Sequence, residues 1–145
     1  MSALHTDAGA LVIAVNALAA LAGLLAWWRA PNRLFWPLLR AGQVLVMLEA
    51  VIGAALLLDG KDLPRLHLIY GLMPIAVAFV AEQLRLTSAD LELQKQGLEN
   101  AQEVAKLPEA DQYTLVAGII RRETGVMAAS AAVVALLCLR AQGWL

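Results

Sequence analysis

The stretch FWPLLRAGQVLVMLEAVIGAALLL, residues 35–58, decides the fold. It carries only two charged residues, Arg40 and Glu49. A helix rises about 1.5 Å per residue, so a run of this length covers about 36 Å, enough to cross a hydrocarbon core of roughly 30 Å. It closes on the turn signal Asp59-Gly60-Lys61-Asp62. Three further runs of the same kind flank it. The first covers about residues 8–28, with Asn16 its only strongly polar member, and stops at Arg29-Ala30-Pro31-Asn32-Arg33. The third covers about 63–85, opening at Leu63-Pro64, where proline suits a first helical turn. The fourth covers about 115–139 and is apolar from Thr124 onward.

Composition agrees with the runs. Of 145 residues 61% are hydrophobic and 16% charged, against about 45–50% and 25% in soluble domains. A single soluble domain of this size hides only about two thirds of its surface, so it would expose large apolar patches. The expectation is an all-α integral membrane four-helix bundle. One cysteine, Cys138, excludes an internal disulfide framework and a multi-cysteine metal site. A net charge of −1 without a basic run excludes nucleic acid as the expected partner. The bilayer is the expected surrounding, with a second copy or a membrane complex as protein partner.

Lysines and arginines set the expected orientation. Arg29, Arg33, Arg40, Arg85, Lys95, Lys106, Arg121 and Arg122 fall on one side of the four spans, and Lys61, Arg65 and Arg140 on the other. The positive-inside rule then puts the richer side in the cytoplasm and both termini outside a plasma membrane. No basic residue precedes the first run, which reads as a retained span rather than a signal peptide. Residues 86–114 are the one hydrophilic part. Their helix-favouring composition, and Leu84, Leu91, Leu98 and Ala105 at seven-residue intervals, predict that helix three continues to about Lys106 and that helix four returns from about Pro108 to Arg140. This is a cytoplasmic helical hairpin of about 25–30 Å.

Polar residues at membrane depth are the candidate sites. Glu49 sits about mid-span, where a carboxyl either handles protons or ligand or is hydrogen-bonded to a neighbouring helix. Counting from the short turn between spans two and three puts Glu82 level with Arg40, and Glu49 level with Met73 and Pro74. Arg40, Gln43, Glu82, Gln83, Arg121, Arg122 and Glu123 then gather at the inner boundary, as a salt-bridge network or part of an ion pathway. His67 lies in Leu66-His67-Leu68-Ile69-Tyr70-Gly71, with Tyr70 on the same helical face. A histidine just inside a bilayer suits a b-type haem, and it also serves as an interfacial hydrogen-bonding residue. His5 is the other histidine and belongs to the same outer side, so His5, or His67 of a second copy, would be a second axial ligand. Gly53 and Gly125, with Ala128, Ala129 and Ala132, permit close helix packing, and Pro74 predicts a kink beside Glu49. The phosphate-loop, HExxH and GxSxG patterns of enzymes are absent.

The segment from Arg40 to Gly71, through Gln43, Gly53, Gly60 and Leu66-His67 to Tyr70-Gly71, resembles half of a haem A synthase-type four-helix unit. That resemblance implies haem ligation by His67. The blocks Trp27-Trp28-Arg29, Leu38-Leu39-Arg40-Ala41-Gly42-Gln43 and Ala81-Glu82-Gln83-Leu84-Arg85 are similar to those of small uncharacterised four-span membrane proteins of the actinobacterial type, which implies the architecture alone. The expected function is a non-enzymatic membrane subunit holding haem or another ligand near His67. The alternatives are a small proton or ion transporter using Glu49 and the Arg40/Glu82 cluster, and a structural partner subunit.

Overall fold

The computed structural model describes residues 2–29, 33–60 and 64–145. These are all-helical: α1 Ser2–Trp28, α2 Phe35–Leu58, α3 Arg65–Leu86, α4 Ser88–Lys95, α5 Ala101–Val104 and α6 Glu109–Ala141. Four helices are long and apolar enough to cross a membrane, α4 counting as a continuation of α3. The turn signals at Ala30-Pro31-Asn32 and Lys61-Asp62, and Leu63 as the start of the third run, lie outside the described residues.

The apolar run understates α1, which starts at Ser2 rather than near residue 8. Ser2, His5, Thr6 and Asp7 are polar, but they continue the same helix, and this carries His5 onto an ordered face. The continuous helix expected to Lys106 does not form. The chain breaks first at Thr87, whose hydroxyl donates to the Leu84 carbonyl (3.1 Å), and α4 then ends at Gly97. Gly97 takes φ 69°, with its own N–H on Gln94 O and Leu98 N–H on Leu93 O. This is a Schellman stop, which a residue without Cβ accepts at least cost. Asn100 starts a fresh turn, its side chain accepting from Glu103 N–H while Glu103 accepts from Glu99 N–H (2.8 Å). The seven-residue seam is therefore lost: Leu84 and Leu91 are exposed, Leu98 lies in the turn, and Ala105 caps α5. Of the two short helices, only α4 packs along α6.

Around the bundle, α1 packs closely on α2 and α6, and α6 on α3, whereas α2 and α3 barely touch. Small residues set the close crossings. A Cβ on Gly23 would lie 2.5 Å from the Phe35 ring and 2.6 Å from Ala128 Cβ, and one on Gly42 would lie 2.8 Å from Asn16 Oδ1. Asn16 is buried and satisfied inside its own helix, Nδ2 donating to Val12 O (2.9 Å). The principal core joins Phe35 and Leu39 of α2, Ala81 of α3, and Met127 and Ala131 of α6 to Ala19 and Ala22 of α1. A second cluster, Val12, Val46 and Val134, leads from it toward the end where α1 begins and α6 ends. Pro74 is buried within α3, which runs through it unbroken. The outer surface is apolar: Phe79 is 66% exposed and Val51 63%.

Candidate functional site

All four long helices contribute one group to a cluster at the end where α1 and α3 begin. His5 comes from the start of α1, Glu49 from α2, His67 from the first turn of α3, and the Ala141 carbonyl from the last residue of α6. His67 Nδ1 lies 2.9 Å from Ala141 O. A carbonyl only accepts, so Nδ1 carries the hydrogen and Nε2 of a neutral ring keeps its lone pair. That Nε2 faces His5 Nε2 at 3.4 Å. The ring centroids are 5.7 Å apart, close to that gap plus the radius of each ring, so the imidazoles meet end-on, nitrogen toward nitrogen. Behind His5, Nδ1 is 2.9 Å from Glu49 Oε1. That is ion-pair range, but the pair is not aligned as a hydrogen bond, and Glu49 Oε2 is buried with no partner.

A cavity of about 40 Å³ lies against these groups, with Gly9, Pro74, Cys138 and Gln142 in its wall. One water needs about 10–15 Å³ on the same measure, so the cavity has room for an ion and a water or two. A second opening of about 230 Å³ shares His5, Glu49 and His67 and extends between α2 and α3 past Gly53, Leu57 and Leu72. It exists because those two helices are so sparsely packed. A Cβ on Gly9 would displace the end of the Gln142 side chain and lie 3.2 Å from Glu49 Oε1. Gly143, at φ 74°, ends α6 in a second Schellman stop just beyond Ala141.

Glu49 is thus not a lone mid-span carboxyl. Pro74, which counting sets level with it, lines the same cavity, and α1, beginning at Ser2, lays His5 beside it. Tyr70 does not join the cluster; its ring lies under the Arg140 guanidinium at 5.8 Å. No group of three or more His, Cys, Asp or Glu side chains placed to hold a metal ion occurs among the described residues. The Ala141 carbonyl, Gly9 and Gln142 carried no sequence signal, because their part depends only on where α6 ends against α1.

At the opposite end, Arg40, Gln43 and Glu82 meet as one network. Arg40 donates to Glu82 Oε1 and to Gln43 Oε1, Gln43 Nε2 donates to Glu82 Oε1 (3.0 Å), and Arg85 Nε donates to Glu82 Oε2 (2.8 Å). Glu123 Oε2 lies 3.9 Å from Arg85, and Arg122 lies 3.6 Å from Glu92, which also takes Lys95 at 2.6 Å. Arg121 stacks on Trp27 instead of joining, and Gln83 is exposed. No protein-family model, curated protein or solved structure matches the chain.

Proposed function

We propose that the chain is a multi-pass plasma-membrane protein, termini outside, that binds a transition-metal ion between His5 and His67. The observation that carries this reading is the end-on approach of the two Nε2 atoms at 3.4 Å with an acceptor behind each ring. Metal-bound histidines typically donate their other N–H to a carboxylate or a backbone carbonyl. Ala141 O holds that position for His67, and Glu49 Oε1 lies 2.9 Å from His5 Nδ1, off the line of a hydrogen bond in the metal-free protein.

The spacing discriminates between ligands. Metal–nitrogen bonds of about 2.0–2.1 Å at a tetrahedral angle put two nitrogens about 3.4 Å apart, whereas two such bonds in line need about 4 Å. The observed gap therefore suits two corners of a tetrahedral site, each ring turning by about 35° from the end-on line to aim its lone pair at the metal. The remaining corners are open to water, a bound ligand or a side chain of a second copy. A haem iron with both histidines axial needs the in-line gap, which is wider than the 3.4 Å between the two Nε2 atoms. Haem b thus does not fit between the two rings as they stand. Imidazole nitrogens suit zinc, copper and nickel.

The alternative is proton handling. Glu49 Oε2 without a partner is what favours it, because a chain from Glu49 through His5 to His67 would pass one proton along the same atoms. In both readings the hydrophilic hairpin stands in the cytoplasm.

Titrating purified protein with Zn²⁺, and separately with haem while following absorbance, tests the proposal. Binding of one Zn²⁺ per chain or per pair of chains, lost in His5→Ala and in His67→Ala, is expected. Zn²⁺ binding indifferent to both variants contradicts it, and a Soret band lost in His67→Ala reinstates haem. Proton flux into liposomes that stops in Glu49→Gln, without Zn²⁺ binding, selects the alternative.

A further inference from the structure

At the end remote from the histidines, a pocket of about 550 Å³ lies between the end of α1, the start of α2 and the side of α6. Its length along α6, from Tyr113 to Thr124, follows from that helix's 33 residues, against 27 in α1 and 24 in α2. Three arginines line it: Arg29 at the end of α1, Arg33 before α2, and Arg121 on α6.

These three differ from the other arginines of that end and from Lys95 of the hairpin. Arg40, Arg85, Arg122 and Lys95 each lie within 4 Å of a carboxylate, whereas among the described residues Arg29, Arg33 and Arg121 have none. Arg121 is held over the Trp27 ring at 5.4 Å, which orients its guanidinium without neutralising it. All three are exposed. The rest of the wall is apolar and open, with Trp28 and Tyr113 each 77% exposed beside Val116 and Ile120. Three uncompensated positive charges call for an anion, and an open apolar wall beside them calls for hydrocarbon.

We infer that this pocket holds the headgroup of an anionic phospholipid, its phosphate among Arg29, Arg33 and Arg121 and its acyl chains along Val116 and Ile120. Guanidinium groups match phosphate oxygens in pairs, and basic pockets between spans on the cytoplasmic side suit such lipids. A zwitterionic headgroup brings its own ammonium and so gains less. The inference rests on the membrane reading but not on the metal site.

The test is native mass spectrometry of the protein in detergent with phosphatidylglycerol or phosphatidylcholine of matched chains. A co-sedimentation arm with phosphatidylcholine vesicles reports membrane insertion by itself. Each arginine near an anionic surface contributes about fivefold, so a preference of about a hundredfold for phosphatidylglycerol is expected. It should collapse when all three arginines become Gln, persist when all three become Lys, and ignore Arg65→Gln at the other end. Circular dichroism verifies that the triple variant stays helical, and the single variants, each about fivefold weaker, serve if it does not. Equal retention of the two lipids, or a preference unchanged in the Gln variants, overturns the inference. Displacement of the lipid by millimolar inorganic phosphate does so as well, because the site then reads a free anion.

Discussion

The two ends of the bundle both bring a glutamate to basic partners, and they treat it in opposite ways. Glu82 accepts from Arg40, Gln43 and Arg85, so both its oxygens are engaged. Glu49 has one oxygen off-axis from His5 and the other buried without a partner. A satisfied network fixes helices, since removing one member leaves the others unpaired. A cluster with open valences and a cavity beside it is arranged for something that is not part of the chain. On this comparison the Arg40–Glu82 network stabilises the bundle, and the histidine end is where binding is proposed.

The strongest way to break the comparison is to take one imidazole away. His67→Ala should weaken Zn²⁺ binding more than about a hundredfold, beyond the 10–100-fold typical of losing an orienting group. It should lower the stability of the metal-free protein by only about 1 kcal/mol, the one hydrogen bond to Ala141. Calorimetric titration and denaturant midpoints read the two effects separately. Next in size, Glu49→Gln should cost about 10–100-fold in affinity by loosening the orientation of His5, with stability nearly unchanged. A large loss of stability there would make Glu49 a structural group like Glu82.

Glu82→Ala should do the reverse, lowering stability by about 1–3 kcal/mol because Arg40 and Arg85 lose their acceptor, while leaving Zn²⁺ affinity as it was. A double reversal, Arg40→Glu with Glu82→Arg, should recover only part of what each single reversal loses, since Arg85 then faces a like charge. Full recovery in a double-mutant cycle would mean that Arg85 contributes nothing to the network. The smallest effect belongs to Tyr70→Phe. With the phenol under Arg140 and outside the cluster, stability should move by about 0.5 kcal/mol or less and affinity not at all.

How much of this was legible in the sequence depends on whether the signal was local. Apolar runs and charged turns mark four long helices because length and hydropathy are properties of consecutive residues; α2 starts and stops with its run, and α6 starts one residue after Pro108. Matching Arg40 with Glu82 was also within reach, because a short turn makes depth countable on both sides of it. The hairpin was misjudged at Gly97, where helix-favouring neighbours outweighed one glycine on paper but not in the chain. The meeting of His5 with His67 was harder to see. It needs α1 to extend through a polar start and α6 to end with a free carbonyl at Ala141, and neither is written near either histidine. The opening between α2 and α3 is likewise a consequence of α1 and α6 forming the tight contacts.

X-ray absorption at the zinc edge of the loaded protein tests the central claim most directly. Two imidazole nitrogens at about 2.0–2.1 Å in the first shell of wild type, and one in His5→Ala, are the expected result. A first shell without imidazole, or one identical in wild type and His5→Ala, would contradict a metal held between His5 and His67.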